Sequence, residues 1–203
     1  MYLRDLLKLI EEIAPHQLAE EWDNSGLQIG SLDKEIKIIY FSLDPTLENV
    51  KRATLHNADL LITHHPLIFR PISNIKTDEY PGNVINEAIK HDISIVSIHT
   101  NLDSAINGIN YILANKLSLI ELEVLKESEL CKDAGLGIIG NLRRSVVLKD
   151  LVAQVKEIFG LSYLRVVNAD NNWDKPIRRI AVVGGSGGSL IQDAIQKGAD
   201  LMI

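Results

Sequence analysis

Apolar residues Leu3, Leu6, Leu7, Ile10 and Ile13 recur at helical spacing, separated by Arg4, Asp5, Lys8, Glu11 and Glu12. The pattern predicts an amphipathic helix over 2–14, ended by Pro15, and its interspersed charges exclude a signal peptide. A polar stretch around 20–25 leads to a short strand at 27–29. Residues 36–43 form a nearly unbroken apolar run, read as a buried strand. Asp44-Pro45-Thr46 then opens a helix to about 57, with Asp44 or Thr46 as cap and Pro45 tolerated in the first turn. Leu60-Leu61-Ile62 is a short apolar strand that stops at His64-His65-Pro66. Helices are predicted over 83–91, 107–117 and 149–159. Strands are predicted over 93–98, 121–126, 135–142, 163–167 and 178–183. A glycine-rich turn at 184–189, a helix to about 197 and the apolar run Leu201-Met202-Ile203 complete the chain. Strands alternating with helices predict an α/β fold with a largely parallel or mixed sheet flanked by helices.

Residues 38–62 and 179–203 align without a gap. Both read strand, turn, helix, strand, and they end alike in Ala58-Asp59-Leu60-Leu61-Ile62 and Ala199-Asp200-Leu201-Met202-Ile203. Any two strand–helix–strand units share such a pattern; the alternative is a duplicated half-domain. A duplication puts the counterpart of His64-His65 just beyond Ile203. The expected organisation is a first lobe over 1–125 and a second, incomplete lobe over 126–203.

Composition changes the picture by exclusion. The chain of 203 residues is 46% hydrophobic, ample for a core, and carries a formal net charge of -6. With no basic patch, nucleic-acid binding through phosphate neutralisation is not expected. No apolar run reaches the ~20 residues of a membrane span, so no membrane partner is expected. The one cysteine, Cys131, has no partner for a disulfide or a zinc pair, which suits a reducing cytoplasm.

Candidate chemistry gathers at two strand ends. His64 and His65 stand at the carboxyl end of one strand, where open α/β sheets place ligands. Adjacent side chains in extended backbone diverge, which suits two ions, or one ion and a substrate. The next strand ends at His99, with Asp103 four residues on. If the two strands are parallel neighbours, imidazoles and carboxylate converge on one sheet edge. The plainer alternative is a loop hydrogen bond between His99 and Asp103. Mixed His and carboxylate ligands suit Zn, Fe, Mn, Co or Ni rather than Ca, and Asp103 is the candidate bridge between two divalent metal ions. The turn at 184–189 offers backbone N–H groups to a triphosphate, or simply allows a tight bend. Trp22-Asp23-Asn24 either lines a pocket or forms a polar turn beside a half-buried Trp. His16, His56 and His91, at helix ends, are expected to be solvated or capping.

Four stretches carry a resemblance. They are Glu21-Trp22-Asp23-Asn24-Ser25-Gly26-Leu27-Gln28-Ile29-Gly30, Ala58 to Leu67 with its double histidine, His99-Thr100-Asn101-Leu102-Asp103, and Gly184 to Ser189. In this order they resemble the GTP cyclohydrolase I type 2 homolog family, dinuclear-metal proteins related to the yeast NGG-one-interacting factor three. The resemblance implies two similar α/β lobes with the metal pair between them and assembly as a homohexameric ring. It also implies His64, His65 and Asp103 as metal ligands, with His99 as the site histidine and catalytic candidate. The implied activity is hydrolysis at the base ring of a nucleotide or another small-molecule substrate by metal-activated water. The family supplies a further His and a Glu four residues later, after the equivalent of Ala199–Ile203. The sequence ends before them, so the expectation is a shortened chain with at most one tightly held ion and its activity in question. Two other functions stay open: a dinuclear metal phosphoesterase, and a non-catalytic metal-binding or scaffold protein, which the missing ligands favour.

Overall fold

A computed structural model describes residues 1–203. The chain folds as two compact units, Met1–Ala105 and Ile106–Ile203. Residues 106–125 therefore pack with the second unit.

The first unit holds helix α1 (Leu3–Ile13), strands β1 (Gly26–Ile29) and β2 (Ile39–Ser42), helix α2 (Leu47–Leu55), strand β3 (Leu60–Thr63), helix α3 (Gly82–Lys90), strand β4 (Ser94–Ser97) and the short helix α4 (Thr100–Ser104). Its sheet runs β1-β4-β3-β2. β2, β3 and β4 are parallel, and β1 runs antiparallel to β4. All of β3 and β4 is buried. A parallel strand covered on both faces needs a continuous apolar run, as in Leu60-Leu61-Ile62. Leu60 and Ile62 pack with Leu3 and its helix on one face. Leu61 packs with Val50, Ala53, Val84 and Ala88 on the other. The cap of α2 is Thr46, whose hydroxyl accepts the Asn49 N–H at 3.1 Å.

The second unit holds α5 (Ile109–Lys116), β5 (Ile120–Glu127), β6 (Gly135–Val147), α6 (Leu148–Ile158), β7 (Pro176–Val182), α7 (Ile191–Gln196) and β8 (Leu201–Met202). Its sheet runs β5-β6-β7-β8, with only β7 and β8 parallel. Two cores again cover its faces, one around Leu151, Ile138 and Ile180 and one around Ile139, Ala181 and Ala194.

The strand expected at 163–167 does not form. Its alternation is real, because Tyr163 and Val167 are 84% and 89% exposed while Leu164 packs on the core. No neighbouring strand pairs with it, so the segment is extended without being part of a sheet. The helix expected over 107–117 is α5, and a separate helix, α4 (Thr100–Ser104), precedes it.

The proposed repeat is present down to single hydrogen bonds. Ile39 pairs with Leu60 and Tyr40 with Leu61, while 141 residues later Ile180 pairs with Leu201 and Ala181 with Met202. Asp59 Oδ2 accepts the N–H groups of Lys37 and Ile38, both at 2.8 Å. Asp200 Oδ2 accepts those of Arg178 and Arg179, both at 2.9 Å. The Ala58 N–H donates to Ala53 O, and the Ala199 N–H to Ala194 O. Generic strand–helix–strand units need not share a carboxylate that closes the first strand's start, so the local duplication is structural.

Burial works against the charge of Asp59, but the two N–H donors and the charges of Lys34 and Lys37 outweigh it and lower its pKa from the ordinary 3.8. Asp59 therefore stabilises the fold above that value and ceases to do so as the pH falls through its lower folded value. Asp59→Ala is expected to lower the unfolding free energy by about 1–3 kcal/mol at pH 7. The difference from wild type should narrow toward pH 3 in urea titrations. An equal penalty at both pH values would contradict this account of the contact.

Candidate metal centre

β3 and β4 lie side by side with Thr63 opposite Ser97, so both chains leave the sheet at the same edge. Two buried hydroxyls fix the exit. Thr63 Oγ1 donates to His65 O at 2.7 Å and lies 3.1 Å from Ser97 Oγ, which also reaches His65 O at 3.3 Å. The His65 N–H donates to Leu43 O and the Ile98 N–H to Thr63 O. His64, His65 and His99 are thereby brought together, with ring centroids 5.1 to 5.7 Å apart. One ring nitrogen from each lies within 4.8 Å of the others.

Each ring is held from behind by a different acceptor. His64 Nδ1 is 3.0 Å from Ile98 O, His65 Nδ1 is 2.6 Å from Asp44 Oδ1, and His99 Nδ1 is 2.8 Å from Asp23 Oδ1. Carbonyl and carboxylate oxygens only accept, so each Nδ1 carries the proton it donates. In a neutral imidazole the lone pair then sits on Nε2.

Asp103 approaches His64 by helical geometry. The His99 carbonyl accepts the Leu102 and Asp103 N–H groups at 2.9 and 3.1 Å, starting the turn of α4. A four-residue step in a helix returns to one face. Asp103 Oδ1 accordingly lies 3.8 Å from His64 Nε2. Burial, reinforced by His99 and His65 and opposed by Asp103 and the Ile98 carbonyl, lowers the His64 pKa from 6.5, so His64 is neutral at pH 7. The contact is therefore not an ion pair. Burial also raises the Asp103 pKa, against the pull of the histidines and with the help of Asp23. A neutral His64 and a carboxylate held in poor solvation both gain when a cation lies between them.

Asp23 is the most constrained of these carboxylates. Its side chain is fully buried. It accepts from His99 Nδ1, the Thr100 N–H at 3.1 Å, the Thr100 hydroxyl and Ser25 Oγ at 2.9 Å. Burial raises its pKa, but these donors and the Asn24 N–H overcome that and hold it far below the usual carboxylate range.

Sequence reasoning does not reach Asp23 and Asp44 as histidine partners. It offers Asp44 only as a helix cap, a place that Thr46 takes. Asp23 is 76 residues from His99, so no local spacing links them; the only cue is an acid within the Trp22-Asp23-Asn24 cluster. The glycine-rich turn belongs to the second unit and behaves as a tight turn. The Gly184 N–H donates to Asn110 Oδ1 at 2.7 Å, that of Gly188 to Ser186 O and that of Leu190 to Gly187 O. Gly185 and Gly187 have φ of +77° and +46°, which side chains with a Cβ rarely adopt. His91 pairs with Glu87 at 3.4 Å and His56 stacks on Tyr40, both away from the cluster.

Comparison with known proteins agrees with the motifs. The sequence model of the Duf34/NIF3 (NGG1p interacting factor 3) family matches residues 1–203. A Clostridium perfringens protein named GTP cyclohydrolase 1 type 2 homolog is 38% identical over 203 residues, which is all of this chain and 76% of that protein. A Clostridium acetobutylicum protein of the same name is 36% identical over 202 residues, 99% of this chain and 74% of that protein. The crystal structure of a Bacillus cereus protein related to NIF3 superposes with a TM-score of 0.93 at 27% identity, covering 100% of this chain and 81% of that one.

Removing Asp23 tests the arrangement without any ligand. Asp23→Ala is expected to lower stability by about 3 kcal/mol, since it strands buried donors. Long-range 1H–15N spectra of the imidazoles should show His99 as the Nδ1–H form in wild type and as a tautomer mixture in the variant, with His64 unchanged. A wild-type His99 protonated only at Nε2 would contradict the assignment.

Proposed function

The chain belongs to the Duf34/NIF3 family, and from that premise we propose that it is a metal-dependent hydrolase centred on His64, His65, His99 and Asp103. The observation that carries the reading is the donor set: three imidazoles at two adjacent strand ends, each pinned at Nδ1 by a separate acceptor. A partner at one ring nitrogen fixes the tautomer and aims the other, as metal-binding histidines require. Imidazoles beside a carboxylate fit Zn, Fe, Mn, Co or Ni.

In this reading His64, His65 and Asp103 would hold the metal, one divalent ion tightly and a second more weakly. Bound there, such ions supply Lewis acidity and lower the pKa of water. His99 is the proton carrier. Asp23 keeps its Nδ1–H engaged, so the ring takes and returns a proton only at Nε2, on the side of the other histidines. Asp44 does for His65 what Asp23 does for His99: it sets which nitrogen faces the site. The name shared by the relatives, GTP cyclohydrolase 1 type 2 homolog, supports a nucleotide substrate. For GTP the reacting ring carbon is C8: a first water would add there and open the C8–N9 bond to leave a formamide on N7, and a second would hydrolyse the N7–C8 bond to release formate.

Metal-loaded protein incubated with GTP is expected to release formate, and to leave a generic phosphodiester uncleaved, with no alcohol released. Alcohol release without formate would instead indicate a phosphoesterase, and neither product a metal-binding protein. In mass-spectrometric metal analysis of protein purified without chelator, His65→Ala should lose metal, whereas His91→Ala should not. His99→Ala should keep its metal yet lose roughly 10²-fold or more in turnover. Unchanged metal content in His65→Ala would remove the ligand assignment.

A further inference from the structure

Beside the histidine cluster two large aromatic side chains stand in solvent. Trp22 is 58% exposed and Phe69 43% exposed. Their rings meet edge to face at 5.8 Å and 69°. Both also present an edge-to-face contact to His99, at 6.3 Å from Trp22 and 6.4 Å from Phe69. The three rings thus form a corner that opens outward.

The corner is exposed but firmly based. Trp22 immediately precedes Asp23, which is anchored by four hydrogen bonds to His99, Thr100 and Ser25. Phe69 immediately follows Ile68, whose carbonyl accepts from Asn24 Nδ2 and whose N–H donates to Gln28 Oε1 at 3.1 Å. Gln28 Nε2 in turn donates to Asn24 O at 2.8 Å. The loops carrying Trp22 and Phe69 are therefore tied to each other and to the histidine cluster. An exposed aromatic on a loose loop can fold back onto the surface. Here the Asn24 and Gln28 side chains join the two loops, so part of the ordering cost is met before any ligand arrives.

We propose that Trp22 and Phe69 form the ring-binding wall of this site and take a planar heteroaromatic ligand of nucleobase size. A flat ring stacked on one face of the corner meets the edge of the other ring, the two arrangements that aromatic quadrupoles favour. A ring seated there lies beside His99, where a reacting ring carbon has to be. Aromatic corners also bind quaternary ammonium groups. A cation is disfavoured here because the neighbouring cluster is itself a cation locus, so the choice of an uncharged heterocycle rests on the metal reading above. The sugar and phosphate of a nucleotide contribute nothing to this wall.

The test uses the emission of Trp22. The chain has two tryptophans. The other, Trp173, lies in the second unit, bonded to Asn171, and is replaced by Phe to leave Trp22 alone. Guanosine is titrated into the Trp173→Phe protein, metal-free and metal-loaded, with excitation at the red edge of the indole band. Saturable quenching is expected in the metal-loaded protein, and none with ribose 5-phosphate or tetramethylammonium at equal concentration. Phe69→Ala should weaken guanosine binding about tenfold, while Phe69→Trp, measured by equilibrium dialysis, restores it. Trp22→Ala, followed by the same dialysis, should lose at least as much. Circular dichroism and metal content should match wild type in all these variants. Absence of saturable guanosine binding in both metal states would overturn the proposal, as would equal binding by the Phe69→Ala protein or by tetramethylammonium. A protein that binds guanosine but no metal would retain the ring wall and overturn the metal reading instead, so the two failures are distinguishable.

Discussion

The candidate site depends on the parallel pairing of β3 with β4. In that register Thr63 faces Ser97, and both strands end on the same edge of the sheet. The hydroxyls of Thr63 and Ser97 meet between the strand ends and satisfy His65 O, which would otherwise be a poorly solvated carbonyl at the sheet's margin. Parallel strands cannot turn directly into each other, so each arrives at the edge with its own following segment. One segment carries His64 and His65, and the other carries His99 and the helical turn that returns Asp103. A shift of β4 by one residue would reverse the direction of every side chain in it and dissolve the cluster.

Orientation is the second constraint. Three imidazoles packed at 5.1 to 5.7 Å have many rotamers that face away from one another. Here a carbonyl and two carboxylates occupy the Nδ1 sides, which leaves the lone pair of each neutral ring on Nε2. The electrostatics are consistent with this arrangement. Burial keeps His64 neutral and makes Asp103 a reluctant anion, whereas Asp23, given five donors, is a secure one. The cluster therefore combines donor capacity at Nε2 with hydrogen-bond acceptors at Nδ1. The same Trp22-Asp23-Asn24 segment serves both sides: Asp23 orients His99, Asn24 binds the neighbouring loop, and Trp22 is left facing outward.

Much of this was legible from the order of residues. The buried runs at Leu60-Leu61-Ile62 and 93–98 marked parallel strands, and the histidines that stop them marked the edge. The helical return of Asp103 was not legible, because Thr100-Asn101-Leu102-Asp103-Ser104 is too short to show a period. The partnership of Asp23 with His99 was hidden for a different reason. It depends on how β1 lies against β4, a tertiary fact with no spacing signature. Side chains at 163–167 do alternate between core and solvent, but alternation reports faces and cannot report whether a neighbour exists to pair with. The repeat 38–62 and 179–203 was visible as similarity, and its meaning came only from the matching carboxylates of Asp59 and Asp200.

The central claim is that ring nitrogens of His64 and His65 face a cation locus beside His99. X-ray absorption at the edge of a loaded ion, zinc for example, tests it directly. The account predicts nitrogen scatterers at about 2.0–2.1 Å with the outer-shell pattern of imidazole rings, diminished when His64 and His65 are both replaced. A spectrum with oxygen scatterers alone, or an imidazole pattern unaffected by those replacements, would contradict it.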